Sequence, residues 1–446
     1  MTGPAITEYQ RTLRRLCKGC GRGYAIGDYL ESSGQYFERP FDYRAGCETY
    51  CLACWLDAGS EESSCGIPST ETYEAQAAPS TFSLTEVPAD YAWPGYEQVY
   101  EQLIDGKVLS GWEGFIRAGA HIAVMPISRT TVSRPVFYPG GFAFYPPGSL
   151  DLDQFSIAPV SAATKSLAER QSLASGVDRA VFDSHPLVVS PCGIDWQHFR
   201  QSNHAGHMDL IRAVSEIVDR GCLDFLRYRL CKIEPIDALP GRAGQVNSNP
   251  MMAGVLICSP QIGESRLIGG AAFTHVLTRG LGLPMRQLEW DEIPAHGEVG
   301  NIVAHGLSLY TALLEANSPT LRFIQALSIL EFLAYPDEYR KFEDVKKIIS
   351  RYVAKDHSQY QALLDRFLEL TGKKDPDSGR IIGFRTQVVH IGKRLEDVVP
   401  AADARRQLFI ELDGYIRAVI DHMISHSERS FAEYQSIRDQ MRPFDA

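Results

Sequence analysis

Beyond Pro294 the chain repeats apolar residues at intervals of three and four, the period of a helix that buries one side. Ile302, Val303, Leu307, Leu309, Tyr310 and Leu313 mark such a face over Asn301–Glu315. Ser318-Pro319 opens a second helix, Leu321–Leu333, with proline in the first turn, where a missing amide costs little; Ala334-Tyr335-Pro336 ends it. Phe342–Tyr352, Tyr360–Leu370, Ala402–Ser425 and Phe431–Met441 follow the same pattern, so residues 295–446 are predicted to form an all-α bundle.

Residues 91–294 read differently. Strand-like runs at His121–Ile127, Arg134–Tyr145, Leu187–Ser190 and Gly254–Cys258 are interleaved with helical periods at Gly95–Ile104, Met208–Val218 and Cys222–Leu230. Pro139-Gly140-Gly141 is a turn signal between two aromatic arms. Their residues Phe137, Tyr138, Phe142, Phe144 and Tyr145 suit a buried sheet face better than a platform for stacked bases. This section is predicted to be mixed α/β, and the whole chain a multidomain α+β protein. Between 59 and 90 the composition turns to Ser, Thr, Glu, Ala and Pro, as in a linker.

Cysteine placement adds a third module at 11–58. Cys17-Lys18-Gly19-Cys20 and Cys51-Leu52-Ala53-Cys54 are two C-x2-C pairs, the spacing of a treble-clef-like zinc site. Four thiolates close a tetrahedron and leave no position for water, so the expected Zn2+ is structural and supplies folding energy to a small module. Cys47 lies close enough to replace a ligand; the symmetric set Cys17, Cys20, Cys51 and Cys54 is preferred.

A formal charge of -11 argues against indiscriminate coating of nucleic acid, which depends on neutralising many phosphates. Any RNA contact must be a local basic patch. The amino terminus has no apolar signal region and no run reaches membrane-span length, so a cytoplasmic location is expected. Neither G-x4-G-K-[S/T] nor G-x-S-x-G occurs, which weakens nucleotide-hydrolase and serine-hydrolase readings.

The chemistry concentrates in Phe384–Leu395, F-R-T-Q-V-V-H-I-G-K-R-L. Arg385 and His390 frame an R-x4-H element within a long run of helical pattern, with Lys393 and Arg394 behind. An imidazole that titrates near neutrality can move protons at a ribose hydroxyl, and a guanidinium can hold a phosphate. At about 100° per residue, five steps leave the two side chains roughly 140° apart on a regular helix. They converge only at a helix end, a kink or a two-fold interface. Glu331, the single acid of the Leu321–Leu333 helix, either orients Arg385 through a charge-assisted bond or faces water.

R-T-Q-V-V-H-I-G-K-R, with L-R-F-I-Q-A-L-S-I-L-E-F-L and F-E-D-V-K-K-I-I-S-R-Y-V before it, resembles the HEPN superfamily of ribonucleases and its ApeA-like antiviral branch. The resemblance covers about the last third of the chain. It implies a dimer in which Arg385 and His390 cut RNA without a metal, leaving a cyclic phosphate. It also implies a role in abortive infection or as a toxin, with transfer RNA or another structured RNA as substrate; a nuclease harmful to its host is expected to stay inactive until a phage-derived or other trigger releases it. The family usually carries Asn, Asp or His directly after the arginine; this chain carries Thr386. The competing reading is a non-catalytic dimeric sensor with a structural zinc finger.

Overall fold

The fold is described by a computed structural model that covers residues 108–155, 176–202, 204–236, 238–247, 251–273, 282–288 and 292–441. Two short paired strands, β1 (Arg14–Leu16) and β2 (Gly23–Ala25), are described as well. Cys17, Cys20, Cys47, Cys51 and Cys54, the 59–90 linker and the 95–104 helix lie outside the described residues.

The middle of the chain builds one six-stranded antiparallel sheet. Its strands are β3 (His121–Pro126), β4 (Val136–Tyr138), β5 (Phe142–Tyr145), β6 (Leu187–Cys192), β7 (Met252–Ser259) and β8 (Glu264–Ala271). They lie in the order β4-β5-β6-β3-β7-β8, with Val124 opposite both Val189 and Leu256. β3 reads H-I-A-V-M-P with no polar alternation because both faces of the sheet are covered. Ala123 and Met125 point into one core, Ile122 and Val124 into the other.

The aromatic hairpin is part of that interior. Phe137, Tyr138, Phe142, Phe144 and Tyr145 are all buried, with Tyr138 edge-on to Phe144 at 5.6 Å. These rings hold the sheet and offer no face to a base. Strand β8, which pairs with β7 along its whole length, has no counterpart among the strands expected from the sequence. Its E-S-R-L-I-G-G-A sequence carries two glycines and two charges, a weak strand signal that pairing with a neighbour buried beyond Met252 overrides.

On one face of the sheet lie α1 (His204–Val218), a π-helical turn at Asp219–Leu223, and α2 (Asp224–Leu230). The carboxy-terminal region is helical. It comprises α3 (Glu298–Glu315), α4 (Pro319–Ala334), α5 (Phe342–Val353), α6 (His357–Thr371), α7 (Ala402–Ile424) and α8 (Phe431–Gln440). Each of these falls where the apolar period places it. At the start of α4 the Ser318 hydroxyl accepts from the Leu321 amide, 3.1 Å away, with Pro319 in the first turn. Among the described residues no helix is long and apolar enough to cross a membrane.

One apolar cluster runs unbroken from Met125 and Ile257 of the sheet through Leu226 and Tyr228 of α2 to Tyr310, Leu330, Phe409 and Ile416 of the helices. Sheet and helices therefore share an interior. Arg417 fastens the seam: its guanidinium lies 4.8 Å from the Tyr228 ring and donates to the Tyr228 and Cys231 carbonyls at 2.7 and 2.8 Å. The Tyr310 hydroxyl donates to Asp413 at 2.8 Å beside it.

Candidate active site

Arg385 and His390 sit at the two ends of a single widened turn. Thr386–His390 is π-helical, and the Ile391 amide donates to the Thr386 carbonyl at 3.2 Å, an i→i+5 bond. The long helix expected here is absent: helical geometry begins at Phe384 and ends at His390. Glycine brackets it at both ends. A Cβ on Gly383 would lie 2.5 Å from the Gly372 nitrogen and the Thr371 carbonyl carbon, so only glycine admits the end of α6 this closely. Gly392, at φ +77°, stops the turn in the left-handed region.

The widened turn changes the geometry of the motif. On a regular helix, residues five apart diverge, whereas i→i+5 bonding places them one above the other. R-x4-H spacing is the repeat of that turn. Arg385 stands at the start of this turn and His390 is its last residue, so the angle between them is smaller than on a regular helix.

Two further contacts position the arginine. Its Nη2 lies 2.9 Å from Glu331 Oε1 on α4, and its guanidinium carbon lies 5.9 Å above the ring of Phe342, the first residue of α5. Both partners of the ion pair are about a quarter exposed. A contact through one Nη nitrogen leaves the remaining N–H donors of the guanidinium available to a phosphate. Of the two alternatives for Glu331, the structure has the ion pair.

Thr386 is tied down as well. Its hydroxyl donates to the Thr371 carbonyl at 3.1 Å and satisfies a terminal acceptor of α6. Next to it, the Phe384 ring lies 6.0 Å from the guanidinium of Arg366. Arg366 is held by Glu411 through Nε at 2.9 Å and Nη2 at 2.8 Å, and by Glu369 at 2.8 Å. The Glu411 hydrogen bonds raise the Arg366 pKa further above its already high ordinary value. In return, the Arg366 bond lowers the Glu369 carboxyl. This clamp fixes α6 against α7 beneath the motif.

His390 is exposed, as are Lys393 and Arg394. The Lys393 ammonium donates to Gln387 Oε1 at 3.0 Å, while Gln387 Nε2 donates to the Ile382 carbonyl at 2.7 Å. Arg394 opens the short helix Leu395–Val398 and reaches Asp397 at 3.9 Å. Four aliphatic side chains of this segment stand in solvent: Val389 and Ile391, which flank His390 in the chain, and Ile381 and Ile382 ahead of the turn, each 39–59% exposed.

Arg385, Glu331 and Thr386 were legible as candidates, and the structure brings the first two together. Phe342, Gln387, Arg366 and Glu411 were missed. The i, i+3 spacing of Arg366 and Glu369 could have flagged half of the clamp, but nothing in the chain marks Glu411 as its partner.

His204 and His207 of α1 are buried, and among the described residues no group of three or more His, Cys, Asp or Glu side chains is placed to hold a metal. No family model, curated protein or solved structure matches the chain, so the reading of this turn rests on its own geometry and on the resemblance of its sequence.

Proposed function

We propose that the protein is a metal-independent RNA endonuclease of the antiviral-defence or toxin type, with Arg385 and His390 as its catalytic residues. The observation that supports this reading is the π-turn that opens at Arg385 and ends on His390, with Glu331 holding the arginine. In the proposed reaction a ribose 2′-oxygen attacks the adjacent phosphorus and the bond to the 5′-oxygen breaks. One imidazole takes the 2′ proton, a second donates a proton to the departing 5′-oxygen, and Arg385 offsets the charge that builds on the phosphoryl oxygens.

Two imidazoles require two copies of the motif. The exposed aliphatic residues before and after the turn, Ile381, Ile382, Val389 and Ile391, are side chains that a second copy would bury, which makes a homodimer part of the proposal. An RNA loop is the fitting substrate, because in-line attack needs a flexible linkage and splayed bases. Transfer RNA or another structured RNA with an exposed loop is the class the resemblance implies. The expected zinc module and the sheet region are assigned to recognition of RNA or of a trigger.

The test is incubation of the purified protein with total RNA in the presence of EDTA. Cleavage should survive the chelator, leave cyclic phosphate ends, persist in His204→Ala and vanish in His390→Ala. RNA left intact by wild-type protein under activating infection conditions refutes the assignment. The alternative, a non-catalytic dimeric sensor, is favoured by one observation: the Thr386 hydroxyl is already bonded to the Thr371 carbonyl and so not directed at a substrate. That reading predicts a dimer that binds its trigger and leaves RNA whole.

A further inference from the structure

The segment that leads into Arg385 is an ordered hairpin. The Ile382 amide donates to the Lys373 carbonyl at 2.7 Å, the Asp375 amide to the Arg380 carbonyl at 2.8 Å, and Lys374 bridges Ile381 across the strands. At its tip, the Asp375 carboxylate accepts from the Ser378 hydroxyl and the Asp377 amide, so this acid is engaged in making the turn. Those bonds hold the Asp375 pKa below the ordinary aspartate value.

Among the exposed charged side chains of the hairpin, cations outnumber acids. Lys373, Lys374 and Arg380 all face solvent, against one exposed acid, Asp377. Lys373 meets Glu369 at 3.5 Å, but both side chains are about half exposed, a pairing worth little in water. Gln387 links this arm to the far side of the π-turn, since one amide group grips both the Ile382 carbonyl and the Lys393 ammonium. Cations thus stand before and behind the Arg385–His390 turn, in a chain whose formal charge is -11.

We propose that this hairpin is a phosphate-gripping arm, which with Lys393 and Arg394 holds the RNA strand on either side of the linkage to be cut. The inference rests on the proposed nuclease reading and adds to it a substrate-holding surface outside the R-x4-H pair. The arm binds backbone and reads no sequence, because ammonium and guanidinium groups on an exposed loop meet phosphates without reaching base edges. Gln387 acts as a positioning residue that keeps the two cationic flanks in register.

The experiment uses the full-length protein and a fluorescent 2′-O-methyl RNA stem-loop, whose blocked hydroxyl prevents cutting. Binding is measured between about 50 and 200 mM salt, where each phosphate contact on a single strand contributes about 0.7 to the slope of log K against log salt. Lys373→Gln, Lys374→Gln and Arg380→Gln combined should flatten that slope by about 2, while Asp377→Lys should steepen it by about 0.7. Wild-type slopes in both variants, or wild-type binding that ignores salt, overturn the arm. The cleavage assay separates the two readings. Loss of cutting in His390→Ala with unchanged slopes keeps the nuclease and removes the arm. Shifted slopes with no cutting by wild type keep the arm as an RNA contact and remove the nuclease. All substituted side chains are exposed, and Asp377→Lys is a gain that a folding defect would not mimic.

Discussion

Arg385 Nη2 lies 2.9 Å from Glu331 Oε1, joining a turn near residue 385 to the last turns of α4, more than fifty positions earlier in the chain. This bond aims the guanidinium, and its partial exposure limits what it contributes to stability. Glu331→Gln should lower unfolding free energy by no more than about 1 kcal/mol. It should reduce kcat for RNA cleavage by roughly tenfold, an effect of about 1.4 kcal/mol on the barrier, with KM little changed. Parallel denaturant melts and single-turnover cleavage check this. A collapse of stability with no selective loss of kcat would show that the pair is merely structural.

The close approach of Gly383 to the end of α6 makes it intolerant of any side chain. Because the obstructing atoms are backbone atoms of Thr371 and Gly372, they cannot swing aside. Gly383→Ala is expected to destabilise the protein by roughly 1–3 kcal/mol and to displace the Arg385 turn. Urea unfolding together with cleavage rate tests it; a wild-type midpoint would mean that the contact relaxes freely.

Ile391, which follows His390 in the chain, is 59% exposed, more than Ile381, Ile382 or Val389. A charge placed there should oppose a second copy while leaving the fold intact, because the side chain contributes little to the interior. Ile391→Glu is expected to sediment as a folded monomer with RNA cleavage lost. A dimer that survives the substitution would place the interface elsewhere.

Under the seam between sheet and helices, Asp219 and Asp224 hold the buried Arg227 at 2.9 and 3.0 Å, and Glu315 pairs with Arg242 at 2.9 Å. Three carboxylates thus face two guanidiniums, with Arg242 also 3.7 Å from Asp219. Burial pushes the Asp219 carboxyl up from 3.8 to about 6, even though Arg227 pulls it down. The folded value lies above the unfolded one, so between those limits the native state binds more protons and stability falls as pH rises. Above about pH 6 the full cost of ionisation is present; below about pH 4 it is absent. Asp219→Asn should remove this dependence, which urea melts at intervals from about pH 4 to about pH 7.5 would reveal as a flatter profile than that of wild type.

The helices of the carboxy-terminal region were legible almost residue by residue, because each packs one face and the i, i+3, i+4 spacing records that packing directly. The same holds for β3 and the aromatic hairpin, whose hydrophobic runs favour an interior place, and the structure buries them. β8 escaped because its glycines and charges carry no local strand preference and its place is set by pairing with β7. The turn at Arg385 escaped for a related reason. V-V-H-I has a helical period, and nothing local says that Gly383 must press on Gly372 or that Glu331 waits across the bundle.

By itself, the order of residues determined the helical carboxy-terminal region, the mixed central section and which side chains are candidates for the proposed chemistry, since periodicity and side-chain chemistry are local properties. Only the tertiary structure decided that five steps between Arg385 and His390 close into one π-turn, that Glu331 meets the arginine, and that sheet and helices share one interior. Those outcomes depend on contacts between segments distant in the chain, where packing and ion pairing override the preference of any short stretch.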